Sequence, residues 1–179
     1  FTQLKEDVSL HKIALALLAV SPRTPQLYYG TEILMENTAK LHDHGLIRTD
    51  FPGGWKGDAV NAFTGKGLTP TQLEVQDLTR KLFTFRKNSA VLTEGNTLHF
   101  APMEGVYVLS RYTSDKRVTL FINKAERSVD LDLNAYHELS LQKGQTAVDV
   151  IDNKTFTVSE TIHLAPRSFL LIESSHEND

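Results

Sequence analysis

The sequence predicts a two-part chain, an α/β segment over residues 1–89 followed by an all-β antiparallel sandwich over residues 90–179. Three observations carry this. A helical segment near Val8–Val20 leads into a short apolar run between a proline and a glycine, Thr24-Pro25-Gln26-Leu27-Tyr28-Tyr29-Gly30-Thr31-Glu32. A long polar loop rich in glycine follows. Beyond Ala90 the hydrophobic period changes from 3.6 to 2, and turn signals recur at short intervals.

The first helix is expected over Asp7–Val20. Leu10, Ile13, Ala14, Leu17 and Leu18 fall at spacings of three and four, and Asp7 or Ser9 can cap its N-terminus. Pro25 fixes the entry to Leu27-Tyr28-Tyr29 and Gly30 frees the exit, so that run reads as a brief buried strand at Gln26–Tyr29. Helix, buried strand and polar loop in that order make one step of a parallel α/β fold. In such folds the loops leaving the C-terminal ends of strands hold the ligand site. Glu32, Glu36, Asp43, Arg48 and Asp50 all lie on the loop that follows.

That loop runs to about Leu68. Phe51, Trp55 and Phe63 argue against disorder, since disordered segments are poor in aromatics. The next helix has a sharp start: Thr69 caps, Pro70 takes the first turn, and Gln72 completes a capping box. Val75, Leu78, Leu82 and Phe85 form its apolar stripe, and it should end near Asn88. Past the boundary near Ser89, Val106–Arg111 and Val118–Ile122 alternate as strands. About seven strands are expected between Asn96 and Glu173. No Gly/Ser or Pro linker separates the two parts, so they should pack firmly.

Composition bounds the function. The chain has 179 residues and a net charge of −3, with no basic field for nucleic acid or an anionic membrane. No segment is long and apolar enough to span a bilayer. Cysteine is absent, which removes disulfides, thiolate metal sites and a cysteine nucleophile. His42 and His44 bracket Asp43, but a closed zinc site needs four ligands and no partner set is evident, so no metal is expected. No cofactor motif occurs either.

The stretch Thr24–Glu32, together with His44-Gly45-Leu46-Ile47-Arg48-Thr49-Asp50-Phe51-Pro52-Gly53-Gly54-Trp55, resembles the end of the catalytic (β/α)8 barrel of the α-amylase family, glycoside hydrolase family thirteen. The similarity is strongest to its cyclomaltodextrinase and neopullulanase branch. Asn61-Ala62-Phe63 and Phe83-Thr84-Phe85-Arg86-Lys87 are similar to the loop before the last barrel helix and to that helix's end. The β-rich remainder, closing with Ala165-Pro166-Arg167-Ser168-Phe169, is similar to the family's C-terminal sandwich. One departure is Ser21-Pro22-Arg23-Thr24, where relatives usually carry an Arg-Gly pair.

The resemblance implies that residues 1–89 supply the eighth strand, a long loop and the last helix of a barrel, and that residues 90–179 form the C-terminal domain. It implies a parent enzyme that hydrolyses α-1,4-glucosidic bonds of cyclomaltodextrins, pullulan, starch or maltooligosaccharides with retention. The family's nucleophile, acid/base and stabilising Asp would lie before Phe1, as would the N-terminal part of the barrel. On this reading the chain is a C-terminal fragment, inactive alone, whose partners are that missing part and the glucan substrate. A periplasmic or secreted location follows from the resemblance only.

Substrate-binding candidates are Arg48, Asp43, His44 and Trp55. An Asp and an Arg on this loop bind sugar in α-amylases, although the alignment through His44 is ambiguous. Arg48 either forks onto sugar hydroxyls or pairs with Asp50 or Asp43. Trp55 either stacks on a sugar ring or anchors its loop by packing. Tyr28, Tyr29, Gly30, Glu32 and Asp50 belong to the structural motif, with Asp50 expected to bond nearby backbone amides. The alternative is a non-catalytic sugar-binding or interaction module. Such modules usually display a planar row of aromatics, and the β part has no Trp.

Overall fold

The computed structural model describes residues 4–36 and 48–176. They fall into two compact units, Gln26–Arg80 and a larger one that joins the segment up to Pro25 with Lys81 onward.

In the larger unit, helix α1 spans Val8–Val20. Of the two possible caps Asp7 is used: its Oδ1 accepts from the Leu10 amide at 3.0 Å. At the other end the Ser21 amide and hydroxyl both donate to the Leu17 carbonyl, at 2.9 and 2.7 Å. Helix α2 spans Pro70–Asn88 and opens with the expected capping box. The Thr69 amide donates to Gln72 Oε1 at 2.9 Å and the Gln72 amide to Thr69 Oγ1 at 3.2 Å. Val75, Leu78 and Leu82 of its predicted stripe are buried.

Residues Ala90–Glu94, where strand periodicity was expected to begin, instead form a short helix, α3. Five residues cannot display a helical period. The turn forms because the Leu92 and Thr93 amides close back on the Ser89 carbonyl. Eight strands follow, one more than expected: β1 Asn96–His99, β2 Val106–Tyr112, β3 Lys116–Asn123, β4 Val129–Asp132, β5 Thr146–Asp149, β6 Lys154–Thr157, β7 Thr161–Leu164 and β8 Ser168–Ser175. Five of them are only four residues long, too short to count reliably from alternation. A stretch of 3-10 turns at Leu133–Leu139, kinked at Tyr136, links β4 to β5.

The strands form a six-stranded sheet of order β1-β2-β3-β8-β5-β6 and a two-stranded sheet, β4-β7. All pairings are antiparallel. Val106, Val108, Phe121, Ala147 and Ile172 of the large sheet pack on Leu131, Ile162 and Leu164 of the small one, with Leu133, Leu139 and Val158 closing the core. The opposite face of the large sheet is also covered: α1 lies on β2, β3 and β8, and α3 on β2 and β3. That is why β3 is buried on both faces rather than alternating. The sheet beneath α1 is therefore that of the sandwich.

Two buried arginines close helix ends in this unit. Arg111 donates to the carbonyls of Leu92, Gly95 and Asn96, at 3.1, 2.5 and 3.2 Å. Arg86 donates to those of Ala19, Ser21 and Arg23. Cations suit the carbonyl end of a helix, where the last C=O groups lack intrahelical partners. Burial lowers the pKa of both guanidiniums, and for Arg111 the neighbouring Arg86 charge lowers it further.

Candidate functional site

The smaller unit carries the residues singled out in sequence. Gln26–Tyr29 is not in a ladder: no β-pairing involves it among the described residues. A buried parallel strand is defined by its neighbours, and the described residues offer none. Instead the chain turns at once. The Tyr28 carbonyl accepts from the Thr31 amide at 3.2 Å, and the Gly30 carbonyl accepts from Ile33 and Met35, at 3.2 and 2.9 Å. Gly30 is buried with φ +83°, and a Cβ there would lie 2.7 Å from the Met35 side chain. No other residue fits both demands.

Tyr28 and Tyr29 project outward, their rings 4.6 Å apart. The Tyr29 hydroxyl donates to the Thr49 carbonyl at 2.9 Å, which pins the loop between Arg48 and Asp50 to the end of the apolar run. The Tyr29 phenol is held above its ordinary pKa, first by hydrogen bonding with Tyr28, then by burial and the Tyr28 and Asp50 charges, with Arg48 opposing. Arg48 and Asp50 thus gather at the same tyrosine, and both are exposed. Asp43 and His44, like His42, lie outside the described residues. Glu32 sits in the 3-10 turn Thr31–Ile33, and its Oε2 is buried without a hydrogen-bond partner among the described residues.

The rest of the loop is a set of side-chain-tied turns. Asp58 Oδ2 accepts from the amides of Gly53 and Trp55, at 2.7 and 3.1 Å. Amide binding was expected of Asp50; the carboxylate that ties Pro52-Gly53-Gly54-Trp55 is Asp58. Its signal was available, since Asp commonly bonds neighbouring backbone amides in a glycine-rich turn. Asn61 Oδ1 accepts from Phe63 and Thr64, at 3.0 and 3.1 Å. The Ala62 amide donates to the Pro52 carbonyl, and the Ala62 carbonyl takes a 2.9 Å bond from Gln76 of α2. Gly53 has φ +98°, and its backbone presses on Asn61, 2.7 Å from where a Cβ would be. These bonds hold Trp55 outward at 67% exposure, with Phe63 at 74%. Trp55 therefore does not anchor the loop by burial; the loop is anchored through polar ties.

The arrangement offers a guanidinium, a carboxylate, two phenols and an indole on exposed, tied-down backbone. Among the described residues, no group of three or more His, Asp or Glu side chains could hold a metal ion. No helix among them is long and apolar enough to cross a membrane.

Residues 97–173 match the family model described as the cyclo-malto-dextrinase C-terminal domain. The fold of the chain is similar to that of AmyP, solved in complex with maltose, at a TM-score of 0.70 and 20% identity over 93% of this chain and 34% of that one. It is also similar to the maltogenic amylase from S. marinus, at a TM-score of 0.67 and 17% identity over 99% of this chain and 21% of the other. A third similar structure is the cyclic α-maltosyl-(1→6)-maltose hydrolase from Arthrobacter globiformis, at a TM-score of 0.61 and 18% identity over 97% and 32%. Residues 97–173 are thus similar to that C-terminal domain, and the chain has the fold of the matching portion of these solved structures. It spans between a fifth and about a third of their length.

Proposed function

We propose that this chain works as the C-terminal portion of a retaining α-glucan hydrolase that cleaves α-1,4-glucosidic bonds in cyclomaltodextrins, pullulan, starch or maltooligosaccharides. The observation that carries the reading is the match of residues 97–173 to the cyclo-malto-dextrinase C-terminal domain, within a chain that follows amylase-type folds over nearly all its length. The larger unit packs a helix layer and the sandwich on one sheet. The smaller unit lends one wall of the sugar-binding cleft.

On that wall Arg48 donates to sugar hydroxyls, and Trp55 offers its ring to the C–H face of a glucose unit. The Tyr29–Thr49 and Asp58 bonds fix the backbone that bears them, so little order has to be gained on binding. Asp43 and His44 precede Arg48 in the sequence and complete the proposed binding set. Retaining hydrolysis needs two carboxyl groups about 5–5.5 Å apart, one protonated and one ionised. In this reading the longer protein supplies that pair, and the 179-residue chain alone turns over no substrate.

Reducing-sugar release from maltoheptaose and β-cyclodextrin tests this. The longer protein should release sugar and the isolated chain should not. Release by the isolated chain that disappears on Asp43→Ala or Glu32→Ala would overturn the assignment.

A further inference from the structure

The polar end of the sandwich core contains a cation without a counter-charge among the described residues. Arg117, the second residue of β3, lies on the same face as Phe121 and is only 2% exposed. Its Nη1 donates to Ser110 Oγ at 2.9 Å, and Ser110 in turn meets Thr119 Oγ1 at 3.2 Å. Its guanidinium lies over the Tyr112 ring, 4.8 Å from the centroid. Nη2 stands 3.4 Å from both ring nitrogens of His176. Among the described residues the Nε–H has no partner, and neither has the hydroxyl of Ser174. Ser174 is Arg117's register partner on β8, which sets the two orphaned groups side by side on one face.

Burial lowers the Arg117 pKa and the Tyr112 interaction raises it, yet a guanidinium stays protonated in proteins. The charge is therefore present in the core, and among the described residues no carboxylate meets it. A buried charge left unpaired is strongly unfavourable, and a buried N–H or O–H is normally satisfied. A water molecule would satisfy the two donors but not the charge. An anion does both, accepting from Arg117 Nε–H and Ser174 Oγ–H.

We infer that Arg117 and Ser174, walled by Ser110, Tyr112 and His176, form an internal site for a small monovalent anion of chloride size. The site lies inside the sandwich and is separate from the proposed sugar-binding loop.

The test is the thermal midpoint of the 179-residue chain in a chloride titration, with ionic strength held constant by gluconate, which is too bulky to enter. The midpoint should rise and saturate, by ~2–6 °C. The rise should vanish in Arg117→Met, and Ser174→Ala should need at least about threefold more chloride for half the effect. Should Arg117→Met fail to fold, ³⁵Cl NMR line broadening on the chain and on Ser174→Ala decides in its place, with broadening expected for the first and reduced for the second. A midpoint indifferent to chloride, or one that rises equally in the variants, overturns the site. So does a chloride response that arises only after Glu177–Asp179 are deleted, since a tail carboxylate would then be the counter-charge.

Discussion

The Arg86 guanidinium donates to the Ala19 carbonyl at 2.6 Å, across 67 residues of chain. One side chain near the end of α2 thereby closes the C-terminal end of α1, and it also holds the carbonyls of Ser21 and Arg23 at 2.9 and 2.5 Å. Three carbonyls lose their donors if it is removed. Arg86→Met should destabilise the chain by about 2–3 kcal/mol, and Arg86→Lys by less, since one ammonium can reach some of the carbonyls but cannot fork. Urea unfolding of the three proteins checks this. Equal midpoints would show that the carbonyls find other donors.

Gly95 makes a different prediction. It follows α3, and a Cβ there would stand 2.3 Å from the Val91 carbonyl and 2.8 Å from that of Tyr112. Both obstacles are backbone and cannot swing aside. Gly95→Ala should cost roughly 2–4 kcal/mol, with the loss concentrated where α3 meets β2. An unfolding midpoint within error of the parent chain would rule out the close approach.

Hydrogen exchange should divide the chain at Ser21. Helix α1 is covered by β2, β3 and β8 and should exchange slowly with them. Thr24–Tyr28 lacks a ladder partner among the described residues, and its amides should exchange fast in the isolated chain. Slow exchange through Leu27–Tyr29 in a demonstrated monomer would mean that this run is self-sufficient, and would count against its need for neighbouring barrel strands.

The sandwich and both long helices were legible in sequence because their signals are local and repeated. The Thr69–Gln72 box and the Val75-Leu78-Leu82 stripe mark α2, and alternation marks β2 and β3. Helix α3 was not legible, because five residues hold no period. The covered outer face of β3 was hidden as well, because it depends on a helix some hundred residues earlier in the chain. Of the candidate site, Arg48 and Trp55 were singled out from motif and residue type, while Leu27-Tyr28-Tyr29 was read as a buried strand and instead turns at Gly30. The fastening carboxylate was placed at Asp50 rather than Asp58. Both lie in the same glycine-rich loop, and only the fold decides which one faces the Gly53 and Trp55 amides. Arg117 gave no signal at all: an arginine at the start of a strand reads as solvent-facing until both neighbouring strands are in place.

Arg48 in the longer protein separates binding from loop structure. If it holds a sugar, Arg48→Ala should lower kcat/KM on long substrates more than on short ones, by about 1–3 kcal/mol of transition-state binding. An equal loss on all substrates together with a lower Tm would assign Arg48 to the loop's own architecture. Trp55→Ala should follow the same pattern without loss of stability, because its side chain is exposed in this chain.

The most direct test of the central claim is the anomeric configuration of the sugar first released when the longer protein cleaves maltoheptaose, followed by ¹H NMR before mutarotation. Retaining cleavage of an α-1,4 bond predicts that the α-anomer appears first and relaxes toward the equilibrium mixture. Initial release of the β-anomer, or no cleavage of any α-1,4-linked glucan, would contradict the account.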